Sequence, residues 1–244
     1  MNNIKLLVAY DGTCYLGWQK TKEGPSIEES VQKALEQILN HSVILQAASR
    51  TDRGVHAEGQ VINFFTEKSV VMDSLERSLN ALLPKDIRVL NAKVMPLSFH
   101  PTLSAQGKEY HYHVCLGKVQ SPFHKLFSWH FVKPVHLSQI EETIPFLIGR
   151  RDFSALTNEK KEDNVCDLSL ITVHSLEHNR LVFHIQGNRF LYKMVRNIVG
   201  TLLYVGWGAI LPSDIPKFLE LQDRKKMGVT APAHGLSLKR VFYD

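Results

Sequence analysis

The order of strand-like and helix-like segments constrains the fold of this chain most strongly. Apolar residues alternate at period two in some blocks and recur at helical spacing in others. In the first part of the chain these blocks predict strands at 4–10, 43–48, 60–65 and 87–95 and helices at 26–40 and 73–83. Strands connected both directly and through helices favour an α+β fold, with helices on one face of a mostly antiparallel sheet.

The second part of the chain repeats this order of elements without repeating the sequence. Its pattern predicts strands at 107–116, 168–177, 180–186 and 236–243, helices at 138–148 and 190–205, and a short helix from Ser213. We place the boundary between the halves at 96–103. The chain is therefore expected to have an N-terminal α+β half at 1–103 and a C-terminal α+β half at 104–244.

Two of the predicted helices carry start signals. Ser26 and Glu29 have the spacing of a capping box, in which each side chain bonds the backbone N–H of the other. Asp73 suits the N-cap of the second helix, and Pro84 ends that helix.

Composition and charge narrow the function only in part. Twenty-nine Lys and Arg against 24 Asp and Glu leave a net charge of +5, which favours a polyanionic partner without requiring one. The three cysteines, Cys14, Cys115 and Cys166, are too few and too far apart to indicate a disulfide framework or a thiolate metal site. No export signal is visible, and the longest apolar stretch, 198–211, is too short to cross a bilayer. We expect a cytoplasmic protein that does not bind a membrane.

A polar segment between two predicted strands, residues 50–57, is the first candidate for chemistry. Loops held between rigid strands often carry reactive groups. Asp52 is flanked by Arg50 and Arg53, and nearby cations favour the ionised carboxylate. A salt-bridged turn, with Gly54 supplying backbone freedom, explains the same residues. The pattern alone leaves both interpretations open.

Six motifs spread over nearly the whole chain narrow that choice. Residues 49–57 are Ser-Arg-Thr-Asp-Arg-Gly-Val-His-Ala, and the other five motifs lie at 10–19, 108–112, 149–154, 194–200 and 230–236. Together they resemble the TruA family of pseudouridine synthases, whose catalytic loop is usually Gly-Arg-Thr-Asp-x-Gly-Val-His-Ala. The chain has Ser49 where the family has Gly, Arg151 where His is common and Leu156 where Phe is common. None of these departures removes a reactive group.

The resemblance implies a tRNA pseudouridine synthase with two similar α+β halves and an active cleft between them. The implied reaction breaks the bond between C1′ of the ribose and N1 of uracil, turns the base, and joins C1′ to C5. Neither a redox change nor water is involved, so no cofactor is expected. The implied substrate is the anticodon stem-loop of tRNA, at uridines 38, 39 and 40, and the implied assembly is a homodimer.

The resemblance also assigns roles to four residues. Asp52 is the expected nucleophile, which attacks either C6 of the base or C1′ of the sugar. Arg196 is expected to pair with Asp52 and keep it ionised. Tyr110 is expected to contact the extruded base, with its hydroxyl assisting loss of the C5 proton. Arg50 is expected to fill the space that the flipped nucleotide leaves.

The sequence around two of these residues bears on their roles. Arg196 lies in an apolar helical segment, where an unpaired charge is costly, although an ordinary exposed helical arginine is the alternative. Tyr110 and Tyr112 are two residues apart on a predicted strand and so share a face. That face is either a stacking platform for a base or part of the core.

Two further interpretations concern other residues. His111 and His113 alternate on one predicted strand, and with His56 they suggest a metal site. No third ligand spacing accompanies the pair and the implied reaction needs no ion, so no metal site is predicted. The rival functions are those of an RNA-binding protein without catalysis and of a hydrolase in which Asp11 or Asp152 faces Asp52 across the substrate.

Overall fold

The computed structural model describes residues 1–159 and 161–244. The chain divides into two compact units. Unit 1 comprises Met1–Gln106 together with Ser237–Asp244, and unit 2 comprises Gly107–Leu236. The C-terminal residues of the chain thus belong to the same unit as its N-terminal residues.

Ten strands are present among the described residues, and they pair mostly antiparallel. They are β1 (Asn2–Tyr10), β2 (Gln46–Ala47), β3 (His56–Thr66), β4 (Ile87–Met95), β5 (Gly107–Leu116), β6 (Trp129–Phe131), β7 (Gly149–Asp152), β8 (Val165–Leu176), β9 (Arg180–Gly187) and β10 (Leu236–Phe242). The α-helices of the same residues are α1 (Ile27–Leu39), α2 (Met72–Leu82), α3 (Leu137–Thr143), α4 (Met194–Gly206) and α5 (Ile215–Glu220). The predicted α+β class with mostly antiparallel strands is confirmed.

Unit 1 is built around four strands in the order β4-β1-β3-β10, with β2 added beside β3. β1 runs antiparallel to β3 and β4, whereas β10 runs parallel to β3, with Ser237 opposite His56. From Ile4 onward every second residue of β1 is buried, namely Ile4, Leu6, Val8 and Tyr10. This alternation is the reason that the segment forms a strand with one core face. β3 begins at His56, the seventh residue of the polar segment 50–57 that contains Asp52.

Unit 2 has the strand order β5-β9-β8-β7, each neighbouring pair antiparallel, with β6 parallel to β5. Its α4 is buried over most of its circumference, and α3 packs against it. A helix that is apolar on nearly all sides lies inside a core rather than on a surface. The first turn of α4 carries Arg196.

Three helix boundaries differ from the predictions. α4 begins at Met194 instead of 190, because Lys193 before it has φ of 60°, a left-handed conformation that regular helices exclude. α3 ends at Thr143, and Pro145 lies in a separate 3-10 turn, because proline cannot donate a helical hydrogen bond. Asp73 is not the cap of α2. The N-cap of α2 is Val71, and Asp73 lies in the first turn, where a carboxylate complements the helix dipole.

Further differences concern several strands and the start of α5, which begins at Ile215 rather than at Ser213, after a 3-10 turn at Pro212–Asp214. The predicted strand 43–48 shortens to the two residues of β2, and the short strands β6 and β7 were not predicted. Ser26 does cap α1, since its Oγ accepts a 3.2 Å hydrogen bond from Glu29 N, while the Glu29 carboxylate lies 2.8 Å from Lys33 one turn later. Among the described residues, no helix combines the length and the apolar character that crossing a membrane requires.

Candidate active site

Asp52 lies in a tight turn between β2 and β3 of unit 1. Val55 N donates to Asp52 O at 3.1 Å, and Gly54 inside the turn has φ of 76°, which glycine adopts without strain. Asp52 is half-buried, whereas Arg50 and Arg53 on either side of it are exposed. The turn therefore holds the carboxylate at the boundary between core and solvent.

A buried glutamine fixes the entrance to this turn. Ser49 N donates to Gln60 Oε1 at 3.2 Å, and Gln60 Nε2 donates to Ser49 O at 2.6 Å. Gln60 is fully buried on β3, so the strand holds both backbone polar groups of Ser49. The serine that replaces the family's usual glycine is thus compatible with a well-held backbone.

The motif at 10–19 supports the turn from a second side. Tyr10 Oη and Thr51 Oγ1 are 2.7 Å apart, and Trp18 N donates to Thr51 O at 3.0 Å. A Cβ on Gly17 would lie 2.8 Å from Thr51 O, and one on Gly12 would lie 2.0 Å from Val55 O. Only glycine permits this close approach, so the two motifs form one packed assembly.

The hydrolase interpretation required a second acid, and both candidates make local structural bonds. Asp11 Oδ1 accepts from Thr13 N at 2.9 Å and lies 3.1 Å from His56 Nδ1. Asp152 Oδ1 accepts from Ser154 N at 2.7 Å, and its Oδ2 accepts from Gln222 Nε2 at 3.2 Å. These contacts account for both carboxylates as turn-stabilising groups.

Both tyrosines of β5 in unit 2 are buried, with Tyr110 7% and Tyr112 0% exposed, and they differ in their contacts. Tyr112 donates from Oη to Pro232 O at 2.7 Å, and its ring is so close to Gly235 that a Cβ there would lie 2.5 Å from it. Burial raises the pKa of Tyr112 well above its usual value, and the nearby Arg196 opposes that effect. Tyr112 is therefore a core residue. Tyr110 packs edge-to-face on Phe190, with ring centroids 5.0 Å apart.

Arg196 is held by the segment that precedes β10. Its Nε donates to Ala231 O at 2.7 Å, and its backbone O accepts from Ala231 N at 3.1 Å. A Cβ on Gly200 would lie 1.8 Å from Val229 O, so this segment lies directly against α4. Arg196 is half-buried with a fixed guanidinium plane, which excludes an ordinary exposed helical arginine.

Asn197, the next residue, ties the two C-terminal motifs together. Its Nδ2 donates to Leu156 O at 2.8 Å, and its Oδ1 accepts from Thr230 Oγ1 at 2.6 Å and from Arg224 Nη2 at 2.8 Å. Asn197 is fully buried. The motifs at 194–200 and 230–236 are therefore one hydrogen-bonded structure that orients the first turn of α4.

Known proteins match this chain over most of its length. The family model described as tRNA pseudouridine synthase matches residues 6–102 and 145–244. The chain belongs to the tRNA pseudouridine synthase family. The resemblance seen in the sequence is thereby confirmed.

Relatives within the synthase family align over the full length. tRNA pseudouridine synthase A 2 of Protochlamydia amoebophila (strain UWE25) is 53% identical over 248 residues, which cover 100% of this chain and 95% of the relative. tRNA pseudouridine synthase A of Thermoanaerobacter sp. (strain X514) is 39% identical over 245 residues, which cover 100% of both chains. A solved H/ACA ribonucleoprotein bound to a substrate RNA containing 2′-deoxyuridine matches with 15% identity and a TM-score of 0.37, over 82% of this chain and 44% of that one. That likeness is too weak to carry an argument.

Two residues near the candidate catalytic groups of this synthase were not singled out from the sequence. The sequence pattern predicts a strand at Gln60 and a helix at Phe190 and gives neither residue a role in the site. A polar residue at a buried position of a strand is the signal that could have identified Gln60, because such a group needs a hydrogen-bond partner. Phe190 carries no comparable signal, since its contact with Tyr110 depends on the fold.

Proposed function

We propose that this chain converts uridine to pseudouridine in tRNA, with Asp52 as the nucleophile. Membership of the synthase family makes the chain a tRNA-modifying isomerase. The observation that carries the choice of Asp52 is the turn 49–55, whose backbone is bonded to β3 and to the motif at 10–19. A nucleophile in a pre-organised turn has little orientational freedom to lose when it attacks.

The chemistry suits a single carboxylate. The reaction exchanges a bond between C1′ and N1 for one between C1′ and C5, and no electrons or water enter or leave. Covalent attack by Asp52, on C6 of uracil or on C1′ of ribose, divides this exchange into two easier steps. Arg196 serves as the counter-ion of Asp52, and a charge-assisted bond between them keeps the acid ionised and oriented. The bond from Arg196 Nε to Ala231 O supports this role, because it fixes the guanidinium plane.

Tyr110 contacts the extruded uracil. Its edge-to-face contact with Phe190 sets the orientation of the ring. Stacking of a base on an aromatic side chain contributes on the order of 1 to 3 kcal/mol. The Tyr110 hydroxyl then assists removal of the C5 proton.

Arg50 occupies the space that the flipped nucleotide leaves in the RNA. Its exposure beside Asp52 supports this role, because a guanidinium can stack on neighbouring bases and contact phosphates. The excess of positive charge, +5 over the chain, supports binding of a polyanion. The substrate is the anticodon stem-loop of tRNA at uridines 38, 39 and 40, and the enzyme acts as a cytoplasmic homodimer.

Release of tritium from tRNA that carries C5-tritiated uridine tests this function. The proposed reaction replaces the C5–H bond by a C5–C1′ bond, so it releases one tritium for each pseudouridine formed. A protein that only binds RNA releases none, and a hydrolase releases free uracil or cleaved RNA instead. Absence of tritium release with every tRNA of the source organism would contradict the proposal.

A further inference from the structure

The face of β5 opposite Tyr110 carries a group of metal-binding side chains. Strand alternation places Glu109, His111 and His113 together on this face. The pairing of β5 with β9 sets His111 directly opposite His184. On the next strand, β8, His174 follows two residues after the partner of His184. Three strands of unit 2 thus bring imidazoles to one place on the sheet.

The side chains of this group are in close contact. His111 Nε2 lies 2.8 Å from Glu109 Oε1. The rings of His111 and His184 stack nearly parallel, with an interplanar angle of 6° and centroids 3.9 Å apart. One ligand atom from each of Glu109, His111 and His184 lies within 4.8 Å of the other two. The His174 ring centroid is 5.0 Å from that of His184.

We propose that Glu109, His111 and His184 bind one Zn²⁺ ion, or a transition-metal ion of similar preference. Two imidazoles and one carboxylate are a donor set that suits Zn²⁺. Glu109 is only 5% exposed, so a buried carboxylate already marks the position where a positive charge is stabilised. His174 is near enough to add a fourth ligand by a change of rotamer.

Binding requires small side-chain movements and no change in the strands. Ligand atoms about 2.1 Å from a tetrahedral ion lie about 3.4 Å apart, so the contact between Glu109 and His111 must open slightly. The stacked rings must also tilt, because parallel imidazoles direct their lone pairs side by side rather than to one point. Rotation about the terminal side-chain torsion supplies this tilt, since that torsion is broad.

The site is structural rather than catalytic. It lies on the face of β5 that does not carry Tyr110, and it joins β5 to β9. Bound metal stabilises the folded chain according to its concentration and affinity. The inference depends only on the pairing of strands in unit 2, so it stands or fails separately from the proposed reaction.

Titration of the metal-free full-length chain, without a histidine tag, with Zn²⁺ in competition with a chromophoric chelator tests the proposal. We expect one tight site per chain and a rise in melting temperature on binding. His184→Asn and Glu109→Gln keep side-chain size and should weaken Zn²⁺ binding by at least the roughly 10- to 100-fold that loss of a supporting group costs. His178→Asn is the matched control, because His178 is an exposed histidine 3.9 Å from Glu177 and asparagine tolerates its left-handed φ of 62°, so the affinity should stay unchanged.

Circular dichroism of each metal-free variant shows whether it is folded, and affinities are compared among the folded variants, while the wild-type titration tests the site without any substitution. EDTA should lower the melting temperature of Zn²⁺-loaded protein and leave the rate of pseudouridine formation unchanged. The proposal is overturned if the wild-type chain binds Zn²⁺ no more tightly than exposed histidines bind it. Equal affinity in wild type, His184→Asn and Glu109→Gln overturns it as well.

Discussion

Gln60→Met tests whether the buried glutamine positions the catalytic turn. Methionine has nearly the same size and removes only the amide. The substitution deletes two hydrogen bonds to the backbone of Ser49 and a weaker one from Gln60 Nε2 to Tyr10 Oη at 3.4 Å. A buried polar group left without a hydrogen-bond partner lowers the free energy of unfolding by about 1 to 3 kcal/mol. Ser49 is half-buried, so water recovers part of this cost, and we expect a total loss of roughly 2 to 3 kcal/mol.

The effect on catalysis should exceed what unfolding explains. A shift of about 1 Å in a reacting group can lower the rate on the order of 100-fold, so kcat should fall between about 10- and 100-fold in the folded variant. Urea unfolding measures the stability, and single-turnover pseudouridine formation at a temperature where the variant is folded measures the rate.

Gln32→Met supplies a matched control. Gln32 is a half-buried glutamine on α1 that donates to Glu36 Oε1 at 2.9 Å and to Val43 O at 3.1 Å. Its replacement should lower stability and leave kcat unchanged. A folded Gln60→Met enzyme with the wild-type rate would refute the idea that Gln60 positions Asp52.

Three further outcomes follow from the structure. Tyr110→Phe should bind tRNA normally and stall before product release, because only the hydroxyl is lost. Tyr110→Leu should in addition lose on the order of 1 to 3 kcal/mol of base stacking. Single-turnover rates and tRNA affinities measure both effects, and wild-type behaviour in both variants would make Tyr110 a packing residue only. Burial raises the pKa of Tyr112 above the ordinary value of 10.0, which the unfolded chain keeps. Above pH 10 the unfolded chain loses the phenolic proton while the folded chain retains it, so the free energy of unfolding falls as the pH rises. Urea unfolding should show a loss of about 1.4 kcal/mol per pH unit there, and Tyr112→Phe should reduce that slope. The affinity for tRNA should fall steeply as salt rises, with a log–log slope that reports the phosphates neutralised, and a flat response would contradict a basic tRNA path.

Much of the fold follows from local pattern, and its exceptions have local causes. β4 and β5 agree with the predicted strands, because both segments are long and part of each alternates between apolar and polar residues, as at Ile87–Val89 and Tyr110–Val114. β6 and β7 have three and four residues, too few to establish a period. The start of α4 was misplaced because apolar spacing says nothing about the left-handed conformation of Lys193.

The candidate site was only partly predictable, because some of its contacts join segments that are distant in the sequence. The motifs are enough to predict Asp52, Tyr110 and Arg196 as candidates, since their neighbours along the chain carry the signature. The bonds between Gln60 and Ser49 depend on the pairing of β2 with β3, so the sequence can mark Gln60 as a buried polar residue without showing its partner. The same holds for His184, which meets His111 only through the register of β5 and β9. Spacing along β5 alone therefore offered a histidine pair without a third ligand.

Single-turnover tritium release by Asp52→Asn tests the central claim, that Asp52 is the nucleophile. The amide keeps the size of the side chain and cannot form the covalent bond, so pseudouridine formation should be abolished. The affinity for tRNA should stay within a few fold of wild type, because phosphate contacts dominate binding. Asp73→Asn, at an exposed position in the first turn of α2, is the control and should keep full activity. Tritium release by Asp52→Asn near the wild-type rate would contradict the account.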